Sequence, residues 1–195
     1  MADLTLSELR SLDAGHHFSE DDGASHPFRA RGVVISTFEE ALREFSHARF
    51  NVELKDGSPG AAEATVAIVR DCGAEDRTLL TAGDDEIMRT LRERISAGDS
   101  GVAQGASVAD ILAVLKSAIE GRAPETPAMA LQIPTEFGGN PLVTRELVEH
   151  AHAHGIQIHV WTINDPEEMA RLLDLGIDGI VTDFPTRMAE LIEQR

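Results

Sequence analysis

From residue 49 onward the chain repeats one pattern: a short β-rich apolar run, a longer amphipathic segment, then the next run. The runs are RFNVELK at 49–55, TLLT at 78–81, GVAQG at 101–105, MALQIP at 129–134, IQIHVWTI at 156–163 and GIVTD at 179–183. Their starts lie roughly 22–29 residues apart, the length of a strand plus a covering helix and too long for a hairpin. Strands and helices that alternate through right-handed crossovers build a parallel sheet with helices on its outside. Six such units fit an open doubly wound sheet, or most of an eight-stranded barrel of about 250 residues. At 195 residues the chain is read as one domain, 1–195. No G-x-G-x-x-G follows any run, so a dinucleotide site has no support.

The intervening segments carry helix signals. Thr37 and Glu40 are spaced for a capping box, in which hydroxyl and carboxylate satisfy reciprocal orphan N–H groups. Ser107 and Asp110 form a weaker version before ILAVLKSAI. Asp165, Pro166 and Glu167 give a cap residue, a proline at the first helical position and an acid in the first turn; Gly176 ends that helix. Pro185 opens the last one. Residues 4–36 differ: LTLSELRSL reads as helical, and HHFSEDDGASHPFRARG after it reads as an insertion or loop.

Charge and aromatic content remove several functions. A formal net charge of -17 disfavours nucleic acid and anionic membrane as partners, and no basic patch offsets it. Seven Phe, one Trp and no Tyr leave too few rings for a single-strand stacking platform. The single cysteine, Cys72, excludes an intrachain disulfide; near a helix end and without a paired His, it is read as inert. No apolar run reaches the ~20 residues of a membrane span. MADLTLSELR has no basic region leading an apolar core, so the chain as given carries no signal peptide and reads as cytoplasmic only in that form; the localisation itself is left open.

The sharpest candidate for chemistry is RFNVELK. Glu53 and Lys55 are two apart, so both point to one face of a strand. In a barrel that face is the interior, where the carboxylate suits Mg²⁺ or Ca²⁺ and the ammonium suits a phosphate oxygen. A structural ion pair at a strand end explains the same residues. Trp161 and Asn164 fall near the end of another strand, where the indole forms either a pocket wall or a core residue. Gln132 and Pro134 end a further strand and are candidates for the pocket floor. His150, His152 and His154, with His159 nearby, invite a metal reading. No acid sits between them as in H-E-x-x-H, so a solvated or interhelical packing role is preferred. Asp183 is either a site residue or, preferably, the cap of the helix opened by Pro185.

Four stretches together resemble the glycerophosphodiester phosphodiesterase family: LTLSELRSLDAG, ISTFEEAL, FNVELK and HVWTINDPEEMARLLDLGIDGIVTDFP. The segment 151–185 is the most specific. The resemblance implies a (β/α)8 TIM barrel with a small cap inserted at about 15–31. It implies a phosphoric diester hydrolase that releases an alcohol and glycerol 3-phosphate, using one divalent cation and two histidines. Under it Glu53 is a metal ligand, Lys55 faces the phosphate, and Trp161 and Gln132 belong to the pocket. The small-molecule diester is the only partner implied.

The family's His-Arg-Gly, Glu-x-Asp and His-Asp motifs would precede LTLSEL. An incomplete barrel of six units, lacking the first two, is therefore expected, with no catalytic histidine assigned. His16, His17 and His26 lie in the insertion and do not replace them. TAG at 81–83 stands where the family usually has Ser-Phe. The alternative is an inactive barrel remnant that binds phosphate or assembles with another chain.

Overall fold

The computed structural model describes residues 4–98 and 101–195, so the first three residues of MADLTLSELR lie outside it. The chain forms two compact units, Met1–His47 and Ala48–Arg195. Among the described residues no helix is long and apolar enough to cross a membrane.

The first unit holds two short helices, α1 (Leu6–Arg10) and α2 (Phe38–Glu44). Both start in capping boxes: Thr5 with Glu8, and Thr37 with Glu40 as the spacing predicts. Arg10 pairs with Glu40 between the helices. The helical reading of LTLSELRSL holds for only five residues, because Ser11 turns its hydroxyl onto the Glu8 carbonyl and closes the last turn. Residues 11–36 are turns and loop, as the composition predicts. Asp13 organises them by accepting the Gly15 N–H at 3.1 Å and the Ala30 N–H at 2.8 Å. Phe18 and Phe28 meet edge to face, 5.1 Å between centroids. A Cβ on Gly15 would lie 2.6 Å from the Phe28 carbonyl oxygen, so only glycine allows that approach. Asp21 accepts from Ser25 and Ser19, which lowers its carboxyl to about 2.

The second unit contains all six expected strand–helix pairs. The strands are β1 (Phe50–Glu53), β2 (Thr78–Thr81), β3 (Ala103–Gln104), β4 (Ala130–Ile133), β7 (Gln157–Val160) and β8 (Gly179–Ile180). A two-stranded hairpin, β5 (Glu136–Phe137) and β6 (Asn140–Pro141), follows β4. The helices are α3 (Ala61–Asp71), α4 (Asp85–Ala97), α5 (Val108–Glu120), α6 (Arg145–Ala153), α7 (Pro166–Leu175) and α8 (Pro185–Glu193). Asp165 and Gly176 cap α7 as expected, and Ser107 and Asp110 make a full capping box at α5.

The six main strands run parallel in chain order. β1 pairs with β2 from Phe50↔Thr78 to Glu53↔Thr81, β4 with β7 from Ala130↔Gln157 to Ile133↔Val160, and β7 with β8 at His159↔Gly179. β3 pairs with β2, and Gly105 bridges to Ala130, which links the two three-stranded sheets into one arc. Among the described residues β1 bonds only to β2 and β8 only to β7, so the barrel is not closed.

Alternation divides the arc into two faces. Leu131, Ile133, Ile158 and Val160, all 0% exposed, point to the helices and pack with Val114, Leu147, Val148, Met169 and Leu172. The other face carries Asn51, Glu53, Thr81, Gln132 and His159. Gly105 lies on this inner face, where a Cβ would sit 2.5 Å from Thr81 Oγ1 and 2.8 Å from Gln132 Oε1. The missing side chain is what lets those two groups approach across β3.

Candidate functional site

The C-terminal ends of the strands open into a cleft of about 650 Å³. β1 supplies its polar side. Leu54 is buried, and its N–H donates to the Thr81 carbonyl at 2.8 Å, which extends the β1–β2 ladder by one residue. That bond fixes the alternation and holds Asn51, Glu53 and Lys55 on the cleft side. Lys55 Nζ lies 2.9 Å from Glu53 Oε2. The side chains are 79% and 44% exposed, and an ion pair this wet is worth at most about 1 kcal/mol. The pair therefore does little for the fold and is available to a ligand. Gly83 leaves room beside it: a Cβ there would stand 3.7 Å from Glu53 Oε1.

Gln132 enters the cleft from β4, and Pro134 follows it. Its amide nitrogen and oxygen are both buried and have no protein partner. Trp161 stands at the rim, 44% exposed, with its backbone N–H donated to the Ile133 carbonyl at 3.1 Å. It is a cleft wall and not a core residue.

The rest of the cleft is apolar. α5 contributes Val108, Ile111, Leu112 and Leu115, and the hairpin contributes Phe137. Reading the sequence alone missed this wall. The available signal is that VADILAVLKSAI is apolar around more of the helix than one core face needs. The first turn of α5 is held firmly. Val108 N–H donates to the Gly83 carbonyl and Ala109 N–H to Asp85 Oδ1. Behind it, Asp110 accepts from Arg92 Nη2 at 2.7 Å, Thr126 Oγ1 at 2.6 Å and Ser107 N at 2.8 Å. Burial pushes the Asp110 carboxyl up, but these hydrogen bonds outweigh it and hold the group below its ordinary value.

The other candidates are occupied elsewhere. His150 Nε2 lies 2.8 Å from Ser117 Oγ, joining α6 to α5. His152 Nε2 lies 2.8 Å from Asp178 Oδ2, and His154 Nδ1 lies 2.9 Å from the His150 carbonyl. These are the packing and surface roles expected of them. His159 sits on the inner face one layer below Trp161, and burial lowers its pKa despite nearby Asp178. Asp183 does not cap α8, contrary to expectation. The cap position is Phe184, because Pro185 fixes the first helical residue and leaves Asp183 one position too early. Asp183 instead accepts from Asn164 Nδ2 at 2.9 Å and returns its own N–H to Asn164 Oδ1 at 3.0 Å. Cys72 is the C-cap residue of α3.

A six-stranded parallel arc with a carboxylate and an ammonium at the C-terminal end of one strand is the arrangement the sequence resemblance implies. The glycerophosphoryl diester phosphodiesterase family pattern matches residues 1–187.

The chain belongs to this family.

A Mycobacterium tuberculosis protein named "Probable glycerophosphodiester phosphodiesterase 2" is 32% identical over 169 residues, covering 84% of this chain. The chain spans 62% of that relative's length. A glycerophosphodiester phosphodiesterase of Bacillus altitudinis is 30% identical over 206 residues, covering 98% of this chain and 73% of the relative. A solved Oleispira antarctica phosphodiesterase, in complex with the product sn-glycerol-3-phosphate, superposes with a TM-score of 0.71 at 21% identity. That match covers 97% of this chain and 70% of the solved one, and it shows the shared fold.

The phosphodiesterase family is metal-dependent. The described residues do not by themselves make a metal site, since no three His, Cys, Asp or Glu side chains converge. Mg²⁺ and Ca²⁺ fill six or more oxygen positions, and the cleft lining offers one carboxylate, Glu53. No histidine lines the cleft among the described residues. Chemically the lining can neutralise and orient a phosphate; Glu53 and Lys55 are its titratable groups, and histidine, the side chain used most often as general acid or base, is not among the described lining residues.

Proposed function

We propose that the protein is a phosphoric diester hydrolase acting on glycerophosphodiesters, with this cleft as the substrate site. Water is consumed, the phosphorus–oxygen bond to one alcohol breaks, and that alcohol and glycerol 3-phosphate leave. The Lys55–Glu53 pair at the cleft mouth carries the reading. Lys55 sets its ammonium against a phosphate oxygen and offsets the charge there. Glu53 holds Lys55 over the cleft and contributes one carboxylate toward a divalent cation; no step is assigned to that cation. Gln132 and Trp161 form the floor and rim against which the substrate lies. The product complex of the Oleispira antarctica phosphodiesterase, a protein of the same fold, supports glycerol 3-phosphate as the released phosphate ester.

A second reading, phosphate binding without turnover, is favoured by the absence of histidine from the described cleft lining. One assay separates the two: glycerol 3-phosphate release from glycerophosphocholine, with and without Mg²⁺ or Ca²⁺. Release that is lost in Lys55→Ala supports the hydrolase. Saturable binding of glycerophosphocholine with no release supports the second reading. Release untouched by Lys55→Ala and by Glu53→Gln removes this cleft as the site.

A further inference from the structure

The packing bonds of His150 and His154 use one nitrogen of each ring and leave the other. Ser117 Oγ lies 2.8 Å from the Val114 carbonyl oxygen and 2.8 Å from His150 Nε2. A carbonyl only accepts, so the hydroxyl hydrogen goes to Val114 and the Ser117 oxygen accepts from His150 Nε2–H. The lone pair of His150 is therefore on Nδ1. The His150 carbonyl likewise accepts from His154 Nδ1–H at 2.9 Å, which places the second lone pair on His154 Nε2. Among the described residues neither of these lone pairs meets a hydrogen-bond donor.

An imidazole that donates its N–H to a fixed oxygen and keeps its second nitrogen free has the tautomer and orientation of a metal ligand. The two rings stand one turn apart at the end of α6, 4.7 Å between centroids and tilted by 48°. Two nitrogens on one tetrahedral ion, with bonds of about 2.0 Å, are about 3.3 Å apart, a separation these rings can span. Burial, and then the neighbouring His154 ring, lower the His150 pKa, so its imidazole is neutral at pH 7. His150 lies in the last turn of α6 and His154 is its C-cap residue, where the negative end of the helix favours a cation. A net charge of -17 adds to that attraction.

We propose that His150 and His154 bind one divalent transition-metal ion that prefers nitrogen ligands, such as Zn²⁺, Ni²⁺ or Cu²⁺, with water in its remaining positions. The acid of an H-E-x-x-H motif serves hydrolysis, and a site that only binds does not need one. Among the described residues no third His, Cys, Asp or Glu converges on the pair, so the protein supplies two ligands. The site is separate from the cleft, which neither histidine lines, and its nitrogen donors do not suit Mg²⁺ or Ca²⁺. An ion on Nδ1 makes His150 Nε2–H a stronger donor to the fully buried Ser117, so it tightens the contact between α6 and α5.

Calorimetric titration of the whole chain with Ni²⁺, in a buffer without chelating amines, tests this. The expected result is a site that weakens about a hundredfold or more in His154→Ala, because the second histidine binds as an intramolecular ligand. His154 is exposed, so that variant keeps its fold. His150→Ala gives the same loss. Ser117→Ala keeps both ligands, removes the oxygen that orients His150, and weakens the site about tenfold. His152→Ala, whose ring is paired with Asp178, leaves the titration unchanged. Cu²⁺ binds more tightly than Ni²⁺, and Mg²⁺ does not compete. Ni²⁺ at about a hundred times its dissociation constant raises the melting temperature by about 5–11 °C in the wild type and not in His154→Ala. The absence of saturable Ni²⁺ binding overturns the proposal. Binding of equal strength in wild type and His154→Ala, or binding that is lost in His152→Ala instead, overturns it as well.

Discussion

Replacing Asp110 should cost more than any other single charge in the described molecule. Its side chain is 9% exposed and receives Arg92, Thr126 and both the N–H and hydroxyl of Ser107. Asp110→Ala leaves the Arg92 guanidinium, 22% exposed, without its carboxylate and removes the α5 capping box. Breaking a buried pair from one side costs about 3–5 kcal/mol. At about 2–4 °C per kcal/mol for a chain of this size, the melting temperature should fall by about 6–20 °C. Asp110→Asn keeps the shape and loses the charge, for about half that effect. The pH dependence has a fixed sign. A carboxyl held below its unfolded value contributes stability that is complete above that value, about 3.9. The contribution is lost as pH falls through the folded-state pKa, which lies lower. Urea unfolding should therefore show a full gap between wild type and Asp110→Asn at pH 7. The gap should close only below about pH 4. A gap that is small at pH 7, or that closes near pH 6, would refute the account of this network.

Other perturbations follow from single contacts. Gly105→Ala forces a Cβ to 2.5 Å from Thr81 and should cost about 1–3 kcal/mol in chemical denaturation; a neutral result would mean that β2 and β4 are not that close. Asn164→Ala opens the clasp to Asp183 and Thr182 and should cost about 1–3 kcal/mol, with Asp183→Ala no worse when the pair is combined in a double-mutant cycle. Calorimetric titration with Mg²⁺ or Ca²⁺ should give a dissociation constant no tighter than about 10⁻⁴ M, because Glu53 is the one carboxylate in the cleft lining. Tight binding abolished by Glu53→Gln would show a ligand set that the described residues do not contain.

The strands were legible because each is a short apolar run closed by Gly, Pro or Asp. The helices announced themselves at their first turns, where Thr37, Ser107 and Asp165 cap as their spacing predicts. Glu53 and Lys55 were legible as a pair because strand alternation alone places them on one face. Three features were not read correctly. The β5–β6 hairpin went unpredicted, although Gly138 and Gly139 adopt the positive φ that a tight two-residue turn demands. Asp183 was misassigned by a single residue at the helix start. The apolar cleft wall depends on how α5 is rotated against β4 and α6, and helix periodicity shows that an apolar face exists without showing what it meets.

Lys55 meeting a phosphate in this cleft is what makes it a substrate site. The direct test follows Trp161 fluorescence as sn-glycerol 3-phosphate is added to the wild-type chain and to Lys55→Ala. Lys55 is 79% exposed, so its removal leaves the fold intact. A saturable change in the wild type that weakens about tenfold or more in Lys55→Ala is the predicted result, the loss of one charge-assisted hydrogen bond. Equal titrations of the two proteins would contradict it.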